Sequence, residues 1–527
     1  MKIWTSIILM FSLITIANAQ KNDQNWVLGI GTGGKKFPDS GVFFMNFDYN
    51  GGYKWDIPDS DSNGVVATYA FGTTSYSDKE GNLKFISNGI RIFNSTLEVM
   101  ENGDTINPGY IWNKTSKQYN GYPATHNVLG LPAPGQEDDF AYMVHYGVDT
   151  CKNCYPLPNY FASPMYYSKL DLQANGGLGK VVEKNVIMAE GRFLPYSATR
   201  HANGRDWWLV VPEENKNIYC RWLLTPEGFK GPWKQQIGPI PNDNKSQYLL
   251  FSCFSPQGDR FAAGWQSKEM VVFDFDRCTG LLDSPRTLSL NEPGYEVWNI
   301  YRGCLCFSSS GRFCYINCGN RVFQVDLEES NLSLDTIGTC QECNDCEGSI
   351  GQSIPGGDGY EANMQLAPDG NIYFSQFQPH KCIFRIANSD KKYPDNDVKV
   401  EQVSTPFLQA VGMPFYINYR LGALAGSPCD TLTSTSNQSD KGYGLKLYPN
   451  PAKGDISIDI TLPRYNLQHS ATLMIFDLLG REVYSHEFSQ YSYMHTIASG
   501  SLVPGLYFAS LYYRGQVVKT VEFGVVE

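Results

Sequence analysis

Residues 254–261 read FSPQGDRF, and the same pattern returns as FSSSGRF at residues 307–313 and as LAPDGNIY at residues 366–373. Each copy places an apolar residue before a tight turn, a glycine at the end of the turn, and an aromatic residue on the segment that follows. Glycine adopts the positive φ of such a turn at low cost. The pattern predicts a β-hairpin, and its recurrence predicts a repeat of β-hairpins.

Weaker copies of the turn occur at residues 79–85, 133–135 and 202–208. The turn glycines of all six copies are 53 to 69 residues apart: Gly81, Gly135, Gly204, Gly258, Gly311 and Gly370. A four-stranded propeller blade takes about 40–50 residues, so each interval corresponds to one blade with a longer loop. Strand-like residues 26–30 and 398–419 remain at the two ends. We expect them to combine into a seventh blade, so that residues 20–425 form a seven-bladed β-propeller.

The composition favours this all-β fold. Aromatic residues make up 14% of the chain, with 33 tyrosines, and there are 50 glycines and 29 prolines. These values are typical of short strands joined by tight turns. The net charge of −11 argues against nucleic acid or anionic lipid as the main partner.

The C-terminal 85 residues have a different pattern. They contain LKLYPNP at 445–451, isoleucine at positions 456, 458 and 460, DLLGR at 477–481, PGLY at 504–507 and KTVEF at 519–523. In this order they resemble the type A C-terminal sorting domain of the type IX secretion system of Bacteroidetes-type bacteria. The resemblance implies an Ig-like β-sandwich at residues 443–527 that the secretion machinery binds. Its motif residues here are Pro449, Asn450, Pro451, Gly480, Gly505, Tyr507 and Lys519.

Residues 77–89, 201–211 and 272–280 also resemble secreted Bacteroidetes propeller proteins of unassigned function. That group supplies no catalytic residues to carry over. The N-terminus fits export: Lys2 precedes an apolar stretch at residues 7–16, and the A-x-A site that ends at Ala19 predicts cleavage before Gln20. No later run is long and apolar enough to predict a transmembrane helix. We therefore expect passage through the periplasm to the cell surface or the medium.

Residues 426–442 consist mostly of Gly, Ser, Thr, Pro, Asn and Asp, which predicts a linker between the two domains. Within the linker, Thr431 lies in an Asp-Thr-Leu triplet that resembles the O-glycosylation pattern of these bacteria. Linkers of this composition are exposed, so Thr431 is a candidate for glycosylation.

The chain has 14 cysteines, and disulfides are permitted in an exported protein. If residues 309–311 form the hairpin loop, Cys306 faces Cys314 and a cross-strand disulfide is predicted. Two further groups are disulfide candidates in long loops, and zinc or an iron–sulfur cluster is the alternative for them. They are Cys151 with Cys154, and Cys340 with Cys343 and Cys346.

A partial calcium-loop pattern is formed by Asp59, Asp61 and Asn63, followed by Gly64. Oxygen ligands at alternate positions and a glycine turn suit this ion. The twelfth position is Ala70 rather than glutamate, so an ordinary polar loop remains the alternative. His201 with Asp206 is an acid–base candidate, but no nucleophile motif such as GxSxG accompanies it.

These observations predict an exported, non-catalytic binding or structural module for a surface protein or a glycan, without a cofactor. The long loops, residues 151–167 and 340–363, are candidates for the binding face. One alternative is a glycan-degrading hydrolase or lyase, which needs a pair of carboxylates about 5–10 Å apart. A second is a purely structural envelope component. Four tryptophans either line a sugar-binding face or lie in the core: Trp112, Trp207, Trp208 and Trp298.

Overall fold

The computed structural model describes the following residues: 20–30, 41–47, 52–57, 73–109, 112–113, 122, 128–151, 159–193, 195–214, 216–240, 251–265, 269–290, 304–318, 321–339, 364–375, 380–394, 397–409, 413–430, 444–461, 471–477, 481–488, 492–498, 500–513 and 516–526. The protein is almost entirely β. It divides into two compact units, Met1–Cys429 and Asp430–Glu527.

The described part of the first unit contains seven antiparallel sheets that follow one another along the chain. The first three are β1 (Asn25–Ile30), β2 (Gly41–Phe47), β3 (Tyr53–Asp56); β4 (Thr74–Ser77), β5 (Leu83–Ser87), β6 (Ile92–Asn94); and β7 (Val128–Pro132), β8 (Phe140–Cys151), β9 (Asn159–Asp171), β10 (Lys180–Ala189). A short helical turn, Ala174–Gly177, joins β9 to β10.

The other four sheets each have four strands. They are β11 (Ser197–Arg200), β12 (Trp207–Pro212), β13 (Ile218–Thr225), β14 (Gly228–Gln236); β15 (Phe251–Phe254), β16 (Arg260–Trp265), β17 (Glu269–Phe275), β18 (Leu282–Ser289); β19 (Cys304–Phe307), β20 (Phe313–Cys318), β21 (Arg321–Asp326), β22 (Asp335–Thr339); and β23 (Met364–Leu366), β24 (Ile372–Phe374), β25 (His380–Ala387), β26 (Lys399–Gln409).

The six predicted turn glycines are confirmed. Each lies between the first and second strand of its sheet, with a φ between 70° and 96°. In the clearest copies the glycine N–H donates to the carbonyl three residues earlier, as from Gly258 to Ser255 at 2.8 Å and from Gly311 to Ser308 at 2.9 Å. The repeat in the sequence therefore marks the same hairpin in six successive sheets.

The sheets are arranged as a β-propeller. First strands contact one another from β1 through β4 to β7 and from β11 through β15 and β19 to β23, and apolar side chains fill the space between adjacent sheets. The last strand, β26, contacts β1 and β2, so the seventh sheet adjoins the first. The predicted shared blade is wrong, because β1 pairs with β2 and β26 pairs with β25. β1 and β26 each pair with a strand of their own sheet. The first and seventh sheets therefore meet by packing rather than by strand pairing.

Residues 413–424, which we call the tail segment, follow the last sheet without forming a strand and contact sheets on several sides of the ring. The N–H of Phe415 donates to the carbonyl of Thr73 at 3.3 Å, ahead of β4. The ring of Tyr416 stacks on Trp26 of β1, with centroids 5.6 Å apart, and the Tyr419 hydroxyl donates to the carbonyl of Gly130 in β7 at 2.7 Å. These contacts join the tail segment to the first three sheets.

The second unit is a two-sheet sandwich. One sheet has the order β27 (Gly444–Tyr448), β28 (Ile456–Thr461), β31 (Ser492–Ile497); the other has the order β30 (Glu482–Phe488), β29 (Ala471–Asp477), β32 (Gly505–Tyr513), β33 (Gln516–Val525). The alternating isoleucines at 456, 458 and 460 are all buried in one core, as their spacing predicts. No helix in the described residues is long and apolar enough to cross a membrane.

Candidate functional site

A central cavity of about 280 Å³ lies in the first unit, between the first strands of the fourth to seventh sheets and the tail segment. Strands β11, β15, β19 and β23 supply one side of it, and residues 415–420 supply the other. The described lining residues include none from the strands of the first three sheets.

Hydroxyl and amide groups supply much of the polar lining. The side chain of Gln365 accepts the N–H of Tyr416 at 3.0 Å, and the Asn418 amide donates to the carbonyl of Pro256 at 2.7 Å, so both position the tail segment. Ser197 and Thr199 stand at alternate positions of β11, and both residues are buried. Neither hydroxyl has a hydrogen-bond partner among the described residues, so both remain available to a molecule in the cavity.

The charged lining is limited to one ion pair in the part of the chain that the structure describes. Arg420 lies 2.5 Å from a carboxylate oxygen of Asp23, and Asp23 is 4% exposed. Each charge neutralises the other, so the cavity presents no isolated charge. Glycoside hydrolysis by the usual route needs two carboxylates, and the described lining supplies one, which is already paired.

Two neutral thiols also line the cavity, Cys253 on β15 and Cys306 on β19. Burial raises the pKa of the Cys306 thiol to about 12 and that of the Cys253 thiol well above its usual value. The thiolate is the reactive form of cysteine, so neither side chain is an activated nucleophile.

The predicted disulfide between Cys306 and Cys314 is wrong. Both are free thiols, and the register places Cys306 opposite Tyr315 and Phe307 opposite Cys314. The offset of one residue points the two side chains to opposite faces of the sheet. Cys306 therefore packs towards the seventh sheet, and Cys314 packs towards the fifth.

The far end of the tail segment is held against the fourth and fifth sheets. The buried guanidinium of Arg200 donates to the carbonyl of Tyr419 at 3.2 Å, and that of Arg277 donates to the carbonyl of Gly422. The turn at Gly204 leaves room for this approach, since a Cβ there would lie 2.6 Å from the backbone nitrogen of Ala423.

A disulfide that we did not predict joins Cys278 to Cys429, 151 residues apart, with 5.5 Å between their Cα atoms. It fastens the chain just after the tail segment. Residues 426–429, which the composition assigned to the linker, therefore belong to the first unit. Cys382 is also disulfide-bonded.

His201 and Asp206 do not form an acid–base pair. The imidazole of His201 bonds the N–H of Asn203 and the carbonyl of Cys278, both at 3.0 Å. The carboxylate of Asp206 accepts from Asn203 at 2.8 Å and from Arg205 at 2.7 Å. These contacts stabilise the turn before β12 and leave no group directed at a substrate.

The tryptophans that we considered for a sugar-binding face lie mostly inside the fold. Trp207 and Trp208 are buried in the core, and Trp112 packs against it. Trp233 of β14, by contrast, is 44% exposed. The candidate loop at residues 151–167 is largely a hairpin extension, because Cys151 ends β8 and Asn159 begins β9.

A buried Ser–His–Asn arrangement was not anticipated from the sequence. The imidazole nitrogens of His145 lie 2.6 Å from the side-chain oxygen of Asn107 and 2.9 Å from the hydroxyl of Ser168. All three residues are completely buried, and burial lowers the pKa of His145 to about 3. A substrate has no access, so we interpret the arrangement as a neutral structural network that joins residue 107 to β8 and β9.

Several predicted site residues lie outside the described part of the chain. They are Ala19 of the cleavage site, Asp59, Asp61 and Asn63 of the calcium candidate, Cys154, Cys340, Cys343 and Cys346, Trp298, Thr431 and Gly480, together with the loop 340–363. Gln20 lies within the described residues, and so does the backbone of Cys151, which is the last residue of β8. Within the described residues, no group of three or more potential ligands could hold a metal ion.

The sorting motifs of the second unit occupy definite places in the sandwich. The side chain of Asn450, between Pro449 and Pro451, accepts the N–H of Gly524 at 3.0 Å and donates to the carbonyl of Glu522 at 3.1 Å. This joins the end of β27 to β33. Gly505 begins β32, and the ring of Tyr507 stacks on Phe523 of β33, the strand that contains Lys519.

Residues 446–522 match the family of secretion system C-terminal sorting domains. This domain implies interaction with the type IX secretion machinery and delivery to the cell surface or the medium. No curated protein matches the chain.

Three solved structures illustrate what the chain is similar to. A functionally unknown protein from Desulfotomaculum acetoxidans DSM 771 has 13% identity and a TM-score of 0.37, covering 72% of this chain and 99% of that chain. Apo AztD from Citrobacter koseri has 13% identity and a TM-score of 0.33, covering 74% of this chain and 98% of that chain. The Cps50 (Swd1) beta-propeller domain from Myceliophteria thermophila has 10% identity and a TM-score of 0.29, covering 77% of this chain and 97% of that chain.

Proposed function

We propose that the protein is an exported seven-bladed β-propeller that binds a glycan or a protein partner at the cell surface without transforming it. In this proposal the seven sheets are the seven blades, and the second unit serves delivery. The proposal includes an origin in a Bacteroidetes-type bacterium and removal of residues 1–19 during export.

The composition of the central cavity carries the proposal. The cavity offers hydroxyl and aromatic groups, which bind small molecules and chain ends well. It lacks, among the described lining residues, a free general acid or base: Asp23 is paired with Arg420 and the thiols are neutral. The histidine that has a triad-like geometry, His145, is enclosed in the third sheet. Recognition without turnover is the function that these groups support best.

Binding and turnover are measured together on protein recovered from the culture medium. The protein is applied to a glycan array and to extracted envelope proteins, and retained molecules are then examined by mass spectrometry. We expect retention of at least one partner and recovery of that partner with an unchanged mass. Cleaved or eliminated products would instead indicate the hydrolase or lyase alternative.

Trp233→Ala is the matched control for this experiment. Its side chain is the exposed tryptophan of the outer strand β14 and does not line the cavity. We expect the variant to bind the same partner as the unaltered chain. Loss of binding in this variant would place recognition on the outer strand and would contradict a role for the central cavity.

A further inference from the structure

We infer that the central cavity binds a small, uncharged, polyhydroxylated molecule, such as a single sugar ring. This inference rests on the proposed function and specifies its ligand. The volume of about 280 Å³ is near the lower end of pockets that hold small molecules, which span roughly 300–1,000 Å³. A single ring suits this size better than an extended oligosaccharide.

The charge of the lining selects against ionic ligands. Asp23 and Arg420 neutralise each other at 2.5 Å, and no other described lining residue has a charged side chain. An ionised ligand would lose its hydration on entry and gain no unpaired counter-ion. A carboxylate or an ammonium group on the same sugar ring should therefore weaken binding.

Two unpartnered hydroxyls explain why the ligand should carry hydroxyl groups. Ser197 and Thr199 are two residues apart on β11, so their side chains point to the same face of the strand. They are 3% and 4% exposed. Each hydroxyl can both donate and accept a hydrogen bond. The hydroxyls of a sugar can therefore bond to them in either direction.

The rest of the lining suits the apolar faces of a sugar ring. Phe254, Phe307 and Phe415 border the cavity, together with Leu305 and Met364. A sugar ring presents C–H groups on its faces and hydroxyls at its edge. The cavity lining likewise has both kinds of group, because aromatic and aliphatic side chains lie beside the hydroxyls of β11.

Isothermal titration of the full-length secreted protein tests the inference with N-acetylglucosamine, galactose, glucuronate and glucosamine as probes. We expect at least one neutral sugar to bind at least tenfold more tightly than both charged sugars. The double variant Ser197→Ala/Thr199→Val should weaken that binding at least tenfold with an unchanged unfolding temperature. Thr287→Val, an exposed position on the outer strand β18, is the control and should bind normally. Equal binding of charged sugars, or a double variant that binds normally, would overturn the inference.

Thiol protection locates the ligand independently of any variant. A small neutral methanethiosulfonate reagent is applied with and without the neutral sugar, and modified cysteines are identified by mass spectrometry. We expect the sugar to slow modification of Cys253 and Cys306, which line the cavity. Cys220 and Cys314, free thiols outside the lining, should be unaffected. The reaction is run at a pH at which Cys253 is modified in the absence of sugar, and an equal rate of that modification with bound sugar would also overturn the inference.

The two proposals fail in different ways. Binding on the glycan or protein array, combined with no neutral sugar bound in the titration, would refute the cavity ligand and leave the binding function intact. Absence of any partner in both experiments would refute both proposals.

Discussion

The two units of the protein use different physical means to hold their folds. The described part of the sorting unit buries apolar side chains with one polar exception, Ser510. The propeller buries many polar groups, among them Arg200, Arg277 and His145, and each of these joins segments that are distant in the sequence. The sandwich therefore depends on alternation of apolar residues, whereas the propeller also depends on particular polar pairings. This difference suggests that delivery and recognition can be perturbed separately.

The largest effect that separates the units is expected from deletion of residues 443–527. The truncated chain keeps the propeller and loses the domain that the secretion machinery binds. We expect it to accumulate in the periplasm, and cell fractionation with immunodetection measures the distribution. Normal delivery of the truncated chain to the surface would contradict the division between the two units.

The second effect concerns the disulfide Cys278–Cys429, which we expect to stabilise only the propeller. Closing a loop of 151 residues restricts the unfolded chain, and disulfides of this kind contribute about 3–5 kcal/mol. Calorimetry of Cys278→Ser/Cys429→Ser should show a lower transition for the propeller and an unchanged one for the sorting unit. The double variant is preferable to chemical reduction, because Cys382 is also disulfide-bonded. A lowered sorting-unit transition would contradict this assignment.

The third effect is a pH dependence at His145. Burial lowers its pKa to about 3, so the folded protein binds fewer protons than the unfolded chain between pH 3 and the ordinary value near 6.5. The free energy of unfolding therefore has its full value, as far as His145 is concerned, above pH 6.5. It decreases as the pH falls towards 3, by up to about 1.4 kcal/mol per pH unit.

His145→Gln should flatten this dependence, although the variant is less stable at neutral pH. Denaturant titrations of the propeller between pH 4 and 7.5 provide the measurement. If the unaltered protein and the variant lose stability in parallel as the pH falls, the titrating group lies elsewhere.

The smallest effect is expected at Asn450 in the sorting unit. Its side chain makes two hydrogen bonds to β33 at an exposed site, and replacement by alanine should cost about 1 kcal/mol. Only the sorting-unit transition should move in calorimetry. A shift of the propeller transition would show that the two units do not unfold independently.

The local features of the fold were predictable from the sequence. The turn glycines were found because a positive φ strongly favours glycine, and the sandwich core was found because Ile456, Ile458 and Ile460 alternate. Both signals depend on residues close together in the chain. The predicted register of the hairpin at Cys306 and Cys314 differs from the observed register by one residue. A shift of one residue is enough to reverse the face of every side chain.

Features that depend on distant residues were not predictable. The tail segment has no periodicity that indicates a path across the ring, and its partners, such as Thr73, Gly130 and Arg200, are spread over several sheets. Cys278 and Cys429 carry no local sign of pairing. The cavity itself is bordered by four first strands and the tail segment, which are far apart in the sequence, so no local motif indicates it.

The most direct test of the account is to place an unrelated fluorescent protein between residues 1–20 and residues 430–527, so that it carries both export signals, and to compare this fusion with the full chain. This unit has its own core, so it should fold when transplanted. We expect the fusion to be delivered like the full chain and to bind no partner on the arrays, while the full chain binds and leaves its partner intact. A fusion that binds the same partner, or a full chain that converts its partner to product, would contradict the account.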